Sequence, residues 1–272
     1  MKSITFGQFY PADSVLHRMD PRMKVVLAVV YIVATFLCKN VLSFALLLLS
    51  ALGLILLSKI PMKIVLKSIR PILFVMAFTA LINVFFTGGE TPLFQWRFIN
   101  IYLEGVYQAV FMVVRIAVLI VGTGMFLTYT TTPIMLTDAL ERLLSPLRVL
   151  HVPVHEFAMM MTIALRFIPT LVEETDKIMS AQKARGADFT SGSLISRAKA
   201  LIPILIPLFV SAFRRADELA TAMECRCYHG GDGRTRMTVL HYTVKDFVAL
   251  ALMVAFGAGI VCLNRLGLVY TM

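Results

Sequence analysis

The sequence predicts an all-α integral membrane protein with about five transmembrane helices and a platform of three amphipathic helices. Hydrophobic residues make up 58% of the 272 and charged residues 15%, whereas soluble domains carry about 25% charged residues. The mean hydropathy is +0.81. Several apolar runs approach the roughly 20 residues that cross a bilayer core. In so apolar a chain, the net charge of +10 indicates basic residues gathered on one membrane face rather than a nucleic-acid partner.

The apolar runs give the predicted order of the spans. Asp20 followed by Pro21 is typical of a helix start, because aspartate caps a helix and proline suits its first position. No cleavable signal peptide is predicted, because no small-residue cleavage site follows the first apolar run. Residues 59–70 are predicted to form a basic connector, and a polar loop holds Trp96. The five predicted spans are Val25 to Cys38, Val41 to Leu57, Pro71 to about Phe86, about Gly105 to Leu127 and about Val244 to Leu263.

The basic residues orient these spans. Four Lys or Arg precede the first span, four follow the second and thirteen follow the fourth, while the opposite side holds Lys39, Arg97 and Arg265. The positive-inside rule therefore places the N-terminus and the long segment after the fourth span in the cytoplasm.

The long segment divides the chain into three predicted parts: residues 1–127, 128–242 and 243–272. The middle part is helical in pattern but not uniformly apolar. Pro169 is expected to interrupt its second helix, and Pro203 and Pro207 its third. In both helices the part before the prolines is apolar and the part after them is amphipathic, which is typical of helices lying at a membrane face. The three predicted helices are about Ile134 to Leu147, Val154 to Gly186 and Ser193 to Tyr228.

One element occurs twice in this middle part. The stretch Glu174 to Gly186 aligns with Arg215 to Cys227 at an offset of 41 residues. In that alignment Asp176 matches Asp217 and Arg185 matches Arg226. Each copy ends just past its arginine, and the pair predicts a partner with two equivalent pockets.

Two interpretations of these arginines compete. A single arginine at a helix end usually favours the helix dipole. A guanidinium at a helix end can also pair bidentately with carboxylates in a groove of another protein. Two arginines in matched contexts favour docking, and small neighbours such as Ala184 and Gly186 leave room for close approach.

Other candidate sites are weaker. Arg115 lies within the fourth predicted span, where a charge is either functional or held in a buried pair. No nucleotide-binding motif occurs in the sequence, so any ATPase is a separate chain. The alternative function is an intramembrane metal-dependent hydrolase, although the spacings of the candidate ligands do not match the usual zinc patterns. Those ligands are His151, His155 and Glu156, or the cluster Cys225, Cys227 and His229.

The motifs resemble those of the transmembrane T component of energy-coupling factor (ECF) transporters, which are ABC-type importers of vitamins and transition-metal ions. That family carries two Ala-Arg-Gly-type motifs at the ends of two cytoplasmic coupling helices. The first is present as Ala184-Arg185-Gly186, and the second as Cys225-Arg226-Cys227, which keeps the arginine alone. The stretch Asp13 to Arg22 also resembles the opening signature of the family.

The resemblance implies a non-catalytic scaffold and coupling subunit in a prokaryotic cell membrane. Two ABC-type ATPase subunits that bind ATP and Mg²⁺ are the expected soluble partners, and this chain itself holds no cofactor. A small membrane substrate-binding subunit, the S component, is the expected membrane partner and selects the substrate; the methionine-rich face favours several vitamin-specific S components. The predicted ATPase-docking residues are Ala184, Arg185, Gly186, Cys225, Arg226 and Cys227. The predicted S-component-docking residues are Met135, Phe157, Met160, Met161 and Ile163.

Overall fold

The computed structural model describes residues 9–89, 91–96, 99–189, 193–230 and 239–265. It confirms the predicted all-α fold class. The helices are α1 Pro21–Leu37, α2 Val41–Ser58, α3 Met62–Ile69, α4 Leu73–Phe86, α5 Leu103–Thr123, α6 Pro133–Leu143, α7 Val154–Ala184, α8 Leu194–Glu224 and α9 Val244–Arg265. A 3-10 turn, Arg70–Ile72, joins α3 to α4, a π-helical turn, Gly124–Thr128, extends α5, and a second 3-10 segment, Ser145–Leu150, follows α6.

A short hairpin replaces part of the predicted polar loop before α5. Strands β1, Pro92–Trp96, and β2, Ile99–Tyr102, pair antiparallel. Trp96 lies opposite Ile99, and the register shifts between Pro92 and Phe94. Two strands of four or five residues are too short to give a clear alternating pattern in the sequence.

Four helical segments are long and apolar enough to cross a membrane: Val41–Ser58, Met62–Phe86, Leu103–Thr128 and Val244–Arg265. Helix α1 has 17 residues and is about 26 Å long, close to the roughly 30 Å of a hydrocarbon core. With α1 as a further span, the total matches the predicted five.

The third span starts earlier than predicted. Lys63 and Lys67 of the predicted basic connector lie on helix α3. Pro71 lies in the first turn of the 3-10 segment, where its missing N–H costs no hydrogen bond. Pro71 therefore lies inside the candidate span Met62–Phe86 and does not mark the start of a new span.

The chain forms two compact units. Residues Met1–Ala139 with Val239–Met272 form the membrane unit, which contains all the candidate spans, and residues Leu140–Thr238 form the arm unit. The three-part division at residues 127 and 242 stays a prediction.

The core of the membrane unit centres on the fully buried ring of Tyr31 in α1. This ring contacts Phe126 edge to face at a centroid distance of 6.0 Å and stacks on Phe256 of α9 at 6.5 Å. Gly122 of α5 lies against the same ring, and a Cβ atom there would collide with it. The glycine therefore allows α1 and α5 to approach closely.

A polar network ties the start of α1 to the start of α9. Asp246 is fully buried; its carboxylate accepts from the Asp20 N–H at 3.1 Å and from the N–H and hydroxyl of Thr243 at 2.8 and 2.5 Å. Arg22 donates to the Asp20 carboxylate at 2.7 and 3.0 Å and to the Leu240 carbonyl at 3.1 Å. Such pairing satisfies charges that burial would otherwise make costly.

Lys24 belongs to the same end of α1. Its side chain is buried, and its ammonium donates to the Thr130 carbonyl at 2.8 Å. Thr130 and Leu240 lie near the two points, Ala139 and Val239, where the chain leaves and re-enters the membrane unit. The first turn of α1 thus contacts the chain shortly before it leaves the membrane unit, at Thr130, and shortly after it re-enters, at Leu240.

The close approach at Gly122 gives a first prediction. Gly122→Ala forces the Tyr31 ring to move, and overpacking of this kind costs about 1–3 kcal/mol. We therefore expect a lower thermal unfolding temperature for the purified protein in detergent. Gly53→Ala is the matched control, since a Cβ atom at Gly53 meets no atom within 4 Å. Equal unfolding temperatures for the two variants would contradict the assigned packing.

Candidate functional site: two arginine-tipped helices

Helix α7 ends in a Schellman motif built around Arg185. The Gly186 N–H donates to the Lys183 carbonyl at 3.0 Å, and the Ala187 N–H donates to the Gln182 carbonyl at 3.0 Å. Gly186 has a φ of +88°, the left-handed conformation that this motif requires after its cap residue. Arg185 is the cap residue.

Helix α8 ends in the same backbone motif around Arg226. The Cys227 N–H donates to the Glu224 carbonyl at 2.8 Å, and the Tyr228 N–H donates to the Met223 carbonyl at 3.1 Å. Cys227 takes the left-handed position, with a φ of 54°. The second motif therefore keeps the local geometry of the first, although its sequence departs from Ala-Arg-Gly.

The two helices also match in the turns that precede their caps. The Ser180 hydroxyl donates to the Asp176 carbonyl at 2.7 Å, and the Thr221 hydroxyl donates to the Asp217 carbonyl at 3.0 Å. Both bonds span four residues and lie 41 residues apart. We call Arg185 and Arg226, with their immediate neighbours, the arginine tips.

Both arginines are exposed, and within the described parts of the chain neither guanidinium has a hydrogen-bond or ion-pair partner. The backbone N–H groups of the Schellman motifs already satisfy carbonyls of the last helical turns. The guanidinium groups are therefore not needed to cap the helices by hydrogen bonding. The flanking residues Ala184, Gly186, Cys225 and Cys227 are exposed as well.

The two long helices pack against each other in antiparallel directions. The Gln182 amide donates to the Pro203 carbonyl at 3.5 Å, and the Tyr228 hydroxyl donates to the Met159 sulfur at 3.0 Å. Met159, early in α7, thus contacts a residue just after α8, whereas Gln182, late in α7, contacts a residue in the first half of α8. Neither Pro169 in α7 nor Pro203 and Pro207 in α8 ends its helix, so the predicted interruptions do not break either helix into separate pieces.

An ion pair joins equivalent positions of the two repeats. Arg215 donates to the Glu174 carboxylate at 3.0 Å, and these residues are themselves 41 positions apart. Each arginine tip lies eleven residues beyond its member of the pair. At 1.5 Å per residue in opposite directions, the tips are separated by about 33 Å along straight helices.

The surroundings of Glu174 favour its charged form. A hydrogen bond from Ser211, together with the positive charges of Arg215 and Lys177, lowers the pKa of Glu174 below its ordinary value, and these effects exceed the opposing effect of desolvation. The carboxylate is therefore charged at neutral pH and holds α7 to α8.

The predicted S-component-docking residues lie on α6 and the first half of α7. Met135 is exposed on α6. On α7, Phe157, Met160 and Met161 are exposed, while Ile163 is half-buried. Their docking role stays a prediction.

The apolar half of α8, Leu201 to Val210, was also expected from the sequence to dock the S component, although no α8 residue was among the predicted docking residues. In the structure α8 carries an exposed apolar stripe. Phe209 is 65% exposed and Phe213 62% exposed. The signal was present in the sequence as apolar residues three or four positions apart. The stripe consists of Ile202, Leu205, Ile206, Phe209 and Phe213.

Comparison with known proteins places the chain in a family. The family model described as "Cobalt transport protein" (CbiQ) matches residues 12–238. The "Energy-coupling factor transporter transmembrane protein EcfT" of Clostridium kluyveri is 53% identical over 250 residues, which are 92% of each chain. The protein of the same name in Bacillus subtilis is 46% identical over 258 residues, or 95% of this chain and 97% of its own.

The chain belongs to the EcfT family. It is therefore a transmembrane component of the energy-coupling factor transporter class, and its apolar helices cross the membrane several times. The predicted family resemblance is confirmed.

The alternative of an intramembrane metal-dependent hydrolase gains no support. His155 lies 2.8 Å from the Glu141 carboxylate, and His151 is an exposed residue with a φ of 60° after the 3-10 segment. Among the described residues, no group of three His, Cys, Asp or Glu side chains is placed to hold a metal ion.

Arg115 of α5 has two contacts with neighbouring segments of the membrane unit. Its guanidinium donates to the Cys38 carbonyl at 2.9 Å and lies 5.2 Å from the centre of the Phe44 ring. It therefore satisfies the backbone carbonyl that follows α1 and contacts α2 through a cation–π interaction.

Sequence reasoning also missed the roles of Arg22, Lys24 and Asp246. The opening signature, Asp13 to Arg22, gave a signal for Arg22 only by resemblance to the EcfT family. Nothing local to Asp246 indicated that it would accept a hydrogen bond from a residue 226 positions away.

The left-handed residue of each cap gives a second prediction. Cys227→Gly relieves a conformation that costs a side-chain-bearing residue about 1 kcal/mol, so we expect roughly fivefold slower hydrogen exchange at the end of α8. Cys225→Gly is the matched control and should act in the opposite direction, because Cys225 precedes the cap residue in the helical turn. Changes of the same sign in both variants would contradict the assigned cap.

The pair between Glu174 and Arg215 gives a third prediction. Because the folded state lowers the pKa of Glu174, the stabilisation is present above the ordinary pKa of about 4.3 and is lost as the pH falls through the lowered value. The wild type should therefore lose its stability advantage over Glu174→Gln when thermal unfolding is measured at decreasing pH. Glu173→Gln, an exposed neighbour, should run parallel to the wild type. A constant difference between wild type and Glu174→Gln across this range would contradict the pairing.

Proposed function

We propose that the chain is the coupling subunit of an energy-coupling factor importer, transmitting ATP-driven motion to a substrate-binding membrane subunit. The observation that carries the proposal is the pair of exposed arginines on identical backbone caps at the ends of two antiparallel helices. Each guanidinium offers a rigid set of donors suited to a carboxylate in a groove of a soluble partner. Membership of the EcfT family supports the same role.

The soluble partners are two ABC-type ATPase subunits, which form a homodimer or a heterodimer. They bind ATP and Mg²⁺, and this chain supplies no cofactor. Tips about 33 Å apart can engage two separate subunits, one tip each. When ATP closes the ATPase dimer, the two tips are moved, and the pair between Glu174 and Arg215 keeps the two helices together as they move.

The membrane partner is a small S component that binds the substrate. It docks on the apolar residues of α6, α7 and α8, including Met135, Phe157, Met160, Met161 and Ile163, with the α8 stripe as an addition. Methionine side chains repack readily against different surfaces, which favours docking of several S components. We assign the choice of vitamin or other micronutrient to those subunits.

The proposed location is the prokaryotic cell membrane, with the N-terminus and the arm unit in the cytoplasm. The excess of Lys and Arg in these segments supports this orientation through the positive-inside rule. It places the arginine tips on the side of the membrane where ATP is available.

The fourth prediction concerns the arginine tips. In a pull-down of the tagged protein from detergent, Arg185→Glu and Arg226→Glu should each weaken recovery of one ATPase subunit by at least tenfold, because charge reversal opposes the proposed carboxylates. The double variant should recover neither subunit and no ATP hydrolysis, while the S component remains bound. Arg185→Lys should give intermediate recovery, since lysine keeps the charge but lacks the planar fork.

Arg197→Glu is the matched control, because it reverses an exposed charge at the opposite end of α8. Unchanged ATPase recovery with the double variant would overturn the docking role. Loss of ATPase recovery with Arg197→Glu would show that overall charge, and not the tips, is responsible.

A further inference from the structure

The membrane unit contains an apolar cleft formed by the N-terminal segment, α1, α2 and α9. Its volume is about 620 Å³, within the range of about 300–1,000 Å³ that is usual for ligand sites. Its walls are almost entirely aliphatic and aromatic and include Leu27, Tyr31, Leu54, Leu252, Met253 and Phe256.

A second, polar pocket of about 370 Å³ adjoins one end of this cleft. Val15, Met19, Leu57 and Lys245 line both spaces, which are therefore adjacent. The polar pocket adds Arg18, Lys59 and the carboxylate of Asp13, so three basic side chains and one acidic side chain line it.

Two of the three basic side chains are unpaired. Arg18 lies 3.6 Å from Asp13, and both side chains are largely exposed. In the described part of the chain, Lys59 and Lys245 have no ion-pair partner. The neighbouring Asp246 does not neutralise Lys245 by a direct contact, because its carboxylate is occupied by Asp20 and Thr243.

The position of these lysines along the helices matches a membrane interface. Lys59 directly follows α2, and Lys245 is the second residue of α9. Both helices are candidate spans, so the polar pocket lies where the spans end and the cleft runs into the hydrocarbon region. By the positive-inside rule this is the cytoplasmic leaflet.

We propose that this composite site binds one anionic phospholipid. An acyl chain fills the apolar cleft, and the phosphate group lies between Lys59 and Lys245. Basic pockets between transmembrane helices on the cytoplasmic side are suited to anionic headgroups, and the long apolar stems of lysine allow the ammonium groups to reach the interface.

The size of the cleft favours an acyl chain over a helix of another membrane protein. A helix is about 10 Å across and would fill 620 Å³ within about 8 Å of its length, about one and a half turns. A narrow hydrocarbon chain can follow the cleft along the helices. The unpaired Lys59 and Lys245 beside the cleft distinguish this site from the uncharged outer faces of the spans, which any lipid can cover.

Gly53 provides a way to block the cleft. It lines the cleft, and a Cβ atom at this position meets no atom within 4 Å. Gly53→Leu therefore places a side chain in the space proposed for the acyl chain, and its Cβ atom meets no neighbour. Gly257→Leu is the matched control, because Gly257 on α9 is equally unobstructed and does not line the cleft.

The fifth prediction uses the full-length protein in phosphatidylcholine nanodiscs that contain phosphatidylglycerol with a photoreactive acyl chain. After illumination, mass spectrometry should find crosslinks concentrated on cleft residues such as Leu54 and Met253. Gly53→Leu should reduce this labelling about tenfold, and Gly257→Leu should leave it unchanged.

The headgroup is tested in the same nanodiscs. The double variant Lys59→Gln/Lys245→Gln should lose the preference for phosphatidylglycerol over a phosphatidylcholine probe with the same photoreactive chain. Lys59→Arg/Lys245→Arg should retain the preference, and Lys39→Gln, an exposed lysine outside the site, should not affect it. Thermal unfolding of each variant checks that it is folded.

Three results would overturn the proposal. Labelling spread evenly over the outer faces of the spans would indicate ordinary surrounding lipid. Equal labelling by both probes in the wild type would remove the role of the lysines. Absence of crosslinks to cleft residues such as Leu54 and Met253 in the wild type would show that no acyl chain occupies the cleft.

Discussion

The buried carboxylate of Asp246 is the interaction on which the membrane unit depends most. It accepts three hydrogen bonds from Asp20 and Thr243 and so joins the first turn of α1 to the first turn of α9. Arg22 pairs with Asp20 and extends the network to the Leu240 carbonyl. Removing one partner of such a buried charged group leaves the others unsatisfied and costs about 3–5 kcal/mol. The same turn of α1 also contacts Thr130 through Lys24, so it holds two further segments of the membrane unit in place.

The arginine tips show that local geometry can persist while residue identity changes. A Schellman motif requires a left-handed residue after the cap, and glycine meets this requirement without strain. Cys227 meets it with a side chain, and the hydrogen bonds are the same as those at Gly186. The backbone thus presents both arginines in the same way, which makes the arginine the shared chemical feature and the flanking residues its support.

Much of this arrangement could be predicted from the sequence because the signals were local. The repeat at an offset of 41, the arginine and glycine that end α7, and the apolar spans are all short-range patterns. The contact between Asp246 and Asp20 was not predictable, since it joins residues 226 positions apart. The early start of the third span at Met62 was missed because Pro71 resembles a helix start, although in the structure it lies in a 3-10 turn. The strands of the hairpin, Pro92–Trp96 and Ile99–Tyr102, were too short to be recognised.

The ion pair between Glu174 and Arg215 also limits how rigid the two arms can be. It joins equivalent positions of antiparallel helices, so the two tips lie at opposite ends of the helix pair. The two side chains are 22% and 38% exposed, and ion pairs in contact with solvent contribute little to stability. A contact of that strength keeps the helices in register but resists a change of their angle only weakly. The apolar contacts of α7 and α8 must therefore supply most of the stability of the arms, while the pair sets which residues meet.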